Sequence, residues 1–218
     1  MNYDGYEKYD NQVAETYDIA RKEEEHWKFE NEYIKNRYKN FKTDRVLDLP
    51  VGTGRFLNYY VNVKEIFGCD ISKDMLNKAK LAVTNSKENV FLPKEDAFNL
   101  SYADNYFDEI ICFRLLHLIP PELRENLFKE FHRVLKGNLV LQVYLSRDYT
   151  LLEKVKNKII CFFNAMPNTK AWSHIKSYPL SLEELNRLIN SVSMKVNKKN
   201  FLCQYTGADV YVFELSKD

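Results

Sequence analysis

The sequence predicts an α/β fold, a doubly wound and mostly parallel sheet with a helical lid before it and an antiparallel pair of strands closing it. Two observations carry that reading. Between residues 43 and 146 short apolar runs alternate with helix-patterned stretches, and alternating β and α lays strands side by side in parallel with helices over both faces. The first of those runs, Val46-Leu47-Asp48-Leu49-Pro50-Val51-Gly52-Thr53-Gly54-Arg55-Phe56, carries one acid near its end and breaks into a turn with two glycines. Glycine takes φ > 0 and has no Cβ, so a ligand can lie close to the backbone there.

The elements follow in order. Strands are expected near 44–49, 64–69, 89–92, 107–113 and 137–145. After the glycine turn Phe56, Leu57, Tyr60 and Val61 fall at helical spacing, and N–H groups at the start of such a helix would face the same ligand. Asp70 stands directly at the end of the second strand, where a carboxylate with two acceptor oxygens suits both hydroxyls of a ribose. Ser72 reads as the cap of the next helix. Asp96 follows the third strand beside Ala97 and Phe98, with Glu95 adjacent, and Arg114 follows the fourth. Ligands of such sheets bind beyond the carboxyl ends of the strands, which brings Asp48, Asp70, Asp96 and Arg114 to one site.

The flanks differ from this middle. Residues 1 to about 42 are polar and helix-like, and read as two helices over the site end of the sheet. Tyr17 and Arg21, one turn apart, share a face there. Residues 148 to 164 look helical, and a loop with Pro167, Trp172, His174 and Tyr178 follows. Ser181 reads as an N-cap with Glu183 and Glu184 in the first turn. Two strands, near 195–205 and 209–215, end the chain, and no domain boundary is visible. The division is a lid at 1–42, a core at 43–146, and a cap with closing strands at 147–218.

Composition narrows the class. The 218 residues hold 32 Lys and Arg against 31 Asp and Glu, which gives no electrostatic case for a nucleic-acid partner. The cluster Lys195, Lys198 and Lys199 reads as a solvated turn. Cys69, Cys112, Cys161 and Cys203 lie too far apart for metal or redox spacing. No apolar leader or membrane-length run is present. The expectation is a reduced, cytoplasmic protein with no metal and no membrane partner; the oligomeric state stays open.

Four pieces at these intervals, the Gly52–Gly54 turn, Asp70, Asp96 and the strand Tyr106 to Phe113, resemble the class I S-adenosylmethionine-dependent methyltransferases. The segments Leu115-Leu116-His117-Leu118 and Phe128 to Gly137 look like that family's too, and the likeness covers roughly residues 44 to 146. One departure stands out: Pro50 replaces the first glycine of the family's motif and removes an N–H. A dinucleotide site fits less well, because its fingerprint needs a third glycine where Leu57 stands.

The resemblance implies a Rossmann-like, seven-stranded sheet with S-adenosyl-L-methionine as cofactor and S-adenosyl-L-homocysteine as product. Gly52, Thr53 and Gly54 would touch the methionine part, with Asp48 behind them. Asp70 would hold the ribose, Ile71 and Met75 would pack on the adenine, and Asp96, Ala97 and Phe98 would meet its edge. The lid residues Tyr17 and Arg21, and Arg114, would reach the cofactor's carboxylate or the substrate. His117 is the candidate general base, and Tyr144, Arg147, His174 and Tyr178 are candidates for the outer pocket.

Absent motifs narrow the acceptor. There is no Asn/Asp-Pro-Pro-Tyr/Phe signature, no Pro-Cys nucleophile and no Gly-Gly-Gly-Asp run. The expectation is methyl transfer to an oxygen or nitrogen of a small molecule, with carbon open. A methyltransferase acting on protein or RNA, and a non-catalytic binding module, are the alternatives.

Overall fold

The computed structural model describes residues 11–83, 88–147, 177–205 and 207–217. The expected helix at 148–164 and the loop residues Trp172 and His174 lie outside them. Two helices, α1 (Asn11–Arg21) and α2 (Glu25–Asn40), precede a sheet of seven strands. These are β1 (Thr43–Asp48), β2 (Val63–Gly68), β3 (Val90–Phe91), β4 (Phe107–Cys112), β5 (Leu135–Ser146), β6 (Met194–Tyr205) and β7 (Ala208–Lys217). Helices α3 (Lys73–Ala82), α4 (Pro121–Val134) and α5 (Leu182–Ser191) connect them. The sheet order is β3-β2-β1-β4-β5-β7-β6. The first five strands run parallel, and β7 pairs antiparallel with β5 and β6. The chain moves outward from β1 through β3 and then returns to place β4 on the other side of β1. That reversal opens a crevice at the carboxyl ends of β1 and β4.

Side-chain alternation explains why both faces are covered. Along a strand successive residues point to opposite faces. Val46, Ile66, Ile111, Val140 and Val212 pack on one face with Ile34 and Tyr38 of α2 and with Leu76 and Ala79 of α3. Leu47, Phe67, Ile110, Leu139 and Phe213 pack on the other with Leu127, Phe128 and Phe131 of α4 and Leu185 of α5. Cys69 and Cys112 belong to that second layer and are fully buried.

Caps and ion pairs fix the helices. Ser72 accepts a hydrogen bond from Met75 N at the start of α3, and Ser181 does so from Glu184 N at the start of α5, as the sequence implied. Glu109 of β4 is fully buried and accepts from Arg37 and Tyr38 of α2, while Arg37 Nη1 also meets Glu214 of β7 at 2.8 Å. Arg124 is buried in α4 and donates to the carbonyls of Ile119, Tyr178 and Pro179 and to Glu184, which ties the segment before α5 to the body.

The helix expected after the glycine turn does not form. A single 3-10 turn, Leu57–Tyr59, stands there. Tyr60 (ψ 63°) turns the chain, with Val61 N bonded to Tyr59 O, and β2 starts at Val63. Too few residues separate the turn from β2 for an α-helix, so no helix N-terminus faces the crevice from this side. No helix among the described residues is long and apolar enough to cross a membrane.

Candidate functional site

A cavity of about 930 Å³, open mouth included, occupies the crevice. Gly52, Thr53 and Arg55 come to it from the first turn, Asp70, Ile71 and Met75 from β2 and α3, Asp96, Ala97 and Phe98 from the segment after β3, and Arg114 from the end of β4. Tyr17 of α1 closes one side, packed with Ala14 against Met75. Pro50, the motif departure, also lines the wall.

The two glycines have different tasks. Gly52 (φ +54°) opens onto the cavity, and a Cβ there would meet nothing within 4 Å. Gly54 (φ +81°) does not line it. A Cβ on Gly54 would stand 2.9 Å from Ala79 Cα, so this glycine lets α3 pack against the turn. Gly54→Ala is therefore expected to lower unfolding stability more than Gly52→Ala, whereas Gly52→Ala is expected to weaken ligand binding more. Denaturant titration and ligand calorimetry on both variants separate the effects; equal losses in both measurements would contradict this division.

Asp70 ties the wall together. It is 5% exposed, its Oδ2 accepts from Gly52 N at 3.0 Å, and its Oδ1 accepts from Ser72 N at 2.9 Å. A carboxylate has about four lone-pair positions, so these backbone donors leave acceptor capacity for a ligand. Burial pushes its pKa up to about 6, against the opposing pull of the Ser72, Gly52 and Ile71 N–H groups. Asp96 lines the cavity and accepts from Phe98 N at 2.9 Å, while the neighbouring Glu95 turns away to Ser101. That settles which of the two adjacent acids faces the crevice.

Other expected residues lie apart. Asp48 is 2% exposed and does not line the cavity; its Oδ2 accepts from Tyr60 OH at 2.9 Å, and burial pushes it up to about 7. Arg21 ends α1 and pairs with Glu24 rather than lining the wall. His117 is not in the wall either, although its neighbours Leu115, Leu118 and Ile119 are. Its ring lies edge-on to Tyr144 at 4.6 Å, and Tyr178 N donates to its carbonyl at 2.8 Å. Burial first, then Arg114 and Arg21, push the imidazole down to about 3, which makes it a weak base at neutral pH. Arg147 pairs with Asp209 instead of facing a pocket.

The sequence reading passed over a buried polar cluster under the lid. Glu30 of α2 is fully buried and meets Arg55, Arg114 and Gln142. Trp27 places its ring against both guanidinium groups, with centroid distances of 4.0 Å to Arg55 Cζ and 5.1 Å to Arg114 Cζ. The signal was present: Trp27, Glu30, Ile34 and Tyr38 form one helical stripe, and an acid inside an apolar stripe marks a buried partner.

Residues 46–138 match the family model described as a methyltransferase domain. That match covers less than half of the 218 residues. The chain is 32% identical over 114 residues to a demethylmenaquinone methyltransferase of Bacteroides fragilis, covering 49% of this chain and 45% of that protein. It is 30% identical over 134 residues to a phosphatidylethanolamine N-methyltransferase of Cereibacter sphaeroides, covering 58% and 64%. The chain thus spans about half of the first relative's length and under two thirds of the second's. Its fold is shared with the magnesium protoporphyrin IX methyltransferase of Synechocystis PCC 6803, crystallised with bound SAH (TM-score 0.67, 15% identity, 87% and 84% covered). A methyltransferase of Methanosarcina mazei is similar as well (TM-score 0.66, 21% identity, 84% and 96% covered).

The residues of the cavity wall fit S-adenosylmethionine. Gly52 presents open space where a side chain would intrude, and Asp70 keeps acceptor capacity beside it. When bound, S-adenosylmethionine supplies an electrophilic methyl group on a sulfonium.

Proposed function

We propose that the protein transfers a methyl group from S-adenosylmethionine to a small organic acceptor. The observation that carries this reading is the joint placement of Gly52, Asp70, Asp96 and Met75 around one cavity at the sheet's switch point. Asp70 would accept from the ribose hydroxyls, Ile71 and Met75 would flank the adenine, and Asp96 would accept from its amino group. Tyr17 and the lid helices would exclude water from the reacting atoms. Aromatic and aliphatic side chains, Phe113, Leu115, Leu118 and Ile119, line the remaining wall, which favours a small acceptor over an open groove for a polymer. A displacement at a methyl carbon needs position more than acid–base chemistry, consistent with a weakly basic His117. Incubation with methyl-labelled S-adenosylmethionine and pools of small acceptors is expected to release S-adenosylhomocysteine with label in a small product. Label appearing only in added protein or RNA would favour the polymer acceptor instead.

Asp70 also predicts a pH dependence. Donors from a ribose favour the carboxylate, so binding is to the ionised form. The acid's folded-state value of about 6 lies above the ordinary one. Affinity is therefore expected to fall as pH drops below 6, by up to about tenfold per unit, and to level off above it. Asp70→Asn is expected to flatten that limb in titrations with S-adenosylhomocysteine between pH 5 and 7. A wild-type profile flat across that interval would oppose the assignment.

A further inference from the structure

Charge and carbon are unevenly spread around the cavity. Among the described residues, its charged side chains are Arg55, Asp70, Asp96 and Arg114. Asp70 and Asp96 follow β2 and β3 and accept from backbone N–H groups. Arg55 and Arg114 both pair with Glu30, and Arg114 also pairs with Glu24. The guanidinium nitrogens without a hydrogen-bond partner, Arg55 Nη1 and Arg114 Nη2, are closed off from solvent and do not open onto the cavity. Carbon makes up the wall around the end of β4. Phe113 and Leu115 line it there, and Phe56, just past the glycine turn, stands edge-on to Phe113 with ring centres 5.3 Å apart. Pro50 lines the same cavity and, like Leu115, is half-buried. A glycine at that place would bring no side chain, whereas Pro50 brings an apolar ring, so the motif departure adds carbon to this wall. The sheet order β3-β2-β1-β4 sets the end of β4 across β1 from Asp70 and Asp96.

Resting on the methyl-transfer reading, we propose that the acceptor is an uncharged molecule with an aromatic body, seated on Pro50, Phe56, Phe113 and Leu115. With the ribose at Asp70 and the adenine at Asp96, the end of β4 is the part of the wall left to the acceptor. An ionised acceptor would set its charge against carbon there, with no counter-charge offered by the described residues, and burying an unpaired charge is costly. An aromatic body gains instead by leaving water, in proportion to the apolar area it buries. It also meets aromatic side chains, which favour edge-on and offset ring contacts. The polar atom that takes the methyl group is then a small part of a molecule bound mainly through its rings.

The test is calorimetry at neutral pH on the full chain saturated with S-adenosylhomocysteine. The probes are 2-naphthol, which is uncharged there, and 2-naphthoate, which has the same rings and a negative charge. The naphthol is expected to bind at least tenfold more tightly than the naphthoate. Leu115→Asn sets an amide against the rings; it is expected to lose at least fivefold in naphthol affinity while S-adenosylhomocysteine affinity stays within twofold. Pro50→Gly, which removes the ring at the motif departure, serves as the second variant should the first not fold. Naphthoate binding as tightly as naphthol, or no binding by either, overturns the proposal. Weaker S-adenosylhomocysteine binding by the variant, with naphthol binding unchanged, also overturns it, since this wall would then belong to the cofactor. Absence of S-adenosylhomocysteine binding by the wild type would instead remove the methyl-transfer reading beneath it.

Discussion

Asp70→Ala is expected to lower S-adenosylhomocysteine affinity by about a hundredfold or more. A hydrogen bond to a charged group contributes about 1.5–3 kcal/mol, and two to a ribose diol together exceed the ~2.7 kcal/mol that a hundredfold change requires. The substitution has a second consequence. Gly52 N and Ser72 N lose their shared acceptor, so the turn and the start of α3 lose their mutual reference. Asp70→Asn separates the effects, because its amide oxygen still accepts one of those N–H groups. Calorimetry on both variants, beside their thermal unfolding, gives the comparison. Affinity within twofold of the wild type in either variant would show that the ribose is held elsewhere.

The second large effect is expected at Glu30. Its carboxylate is fully buried and is the shared partner of Arg55 and Arg114. Glu30→Ala leaves two guanidinium groups buried without it, and breaking a buried pair in this way costs about 3–5 kcal/mol. That is a large share of the ~5–15 kcal/mol that stabilises a typical domain. Glu30→Gln keeps the shape and a hydrogen-bond acceptor while removing the charge, so its loss should be smaller. Denaturant unfolding should therefore rank wild type above Glu30→Gln above Glu30→Ala. A loss under about 1 kcal/mol for the alanine variant would mean that the lid is anchored by other contacts, such as Arg37 with Glu109 and Glu214.

Much of this was legible before the fold was seen, for physical reasons. Strands buried on both faces read as continuous apolar runs, so β1, β2, β4 and β5 stood out. The acid at the end of β2 was placed by the apolar run that precedes it, and Asp70 does line the cavity. Gly52 and Gly54 could not be told apart, since only the approach of Ala79 gives Gly54 its separate task. The helix after the turn failed because periodicity ignores how soon the next strand must begin. His117 looked like a base because sequence carries no information on burial, and burial among arginines is what weakens it. Arg55 stood in the quoted motif without a role, because its partner Glu30 is 25 residues away in sequence.

The cavity between Gly52 and Asp70 is expected to hold S-adenosylmethionine. Calorimetric titration of the purified protein with S-adenosylhomocysteine and with NAD, in parallel, tests it most directly. Micromolar binding of S-adenosylhomocysteine with no heat from NAD is the predicted result. A folded protein silent toward S-adenosylhomocysteine, or one that binds NAD instead, would contradict the account.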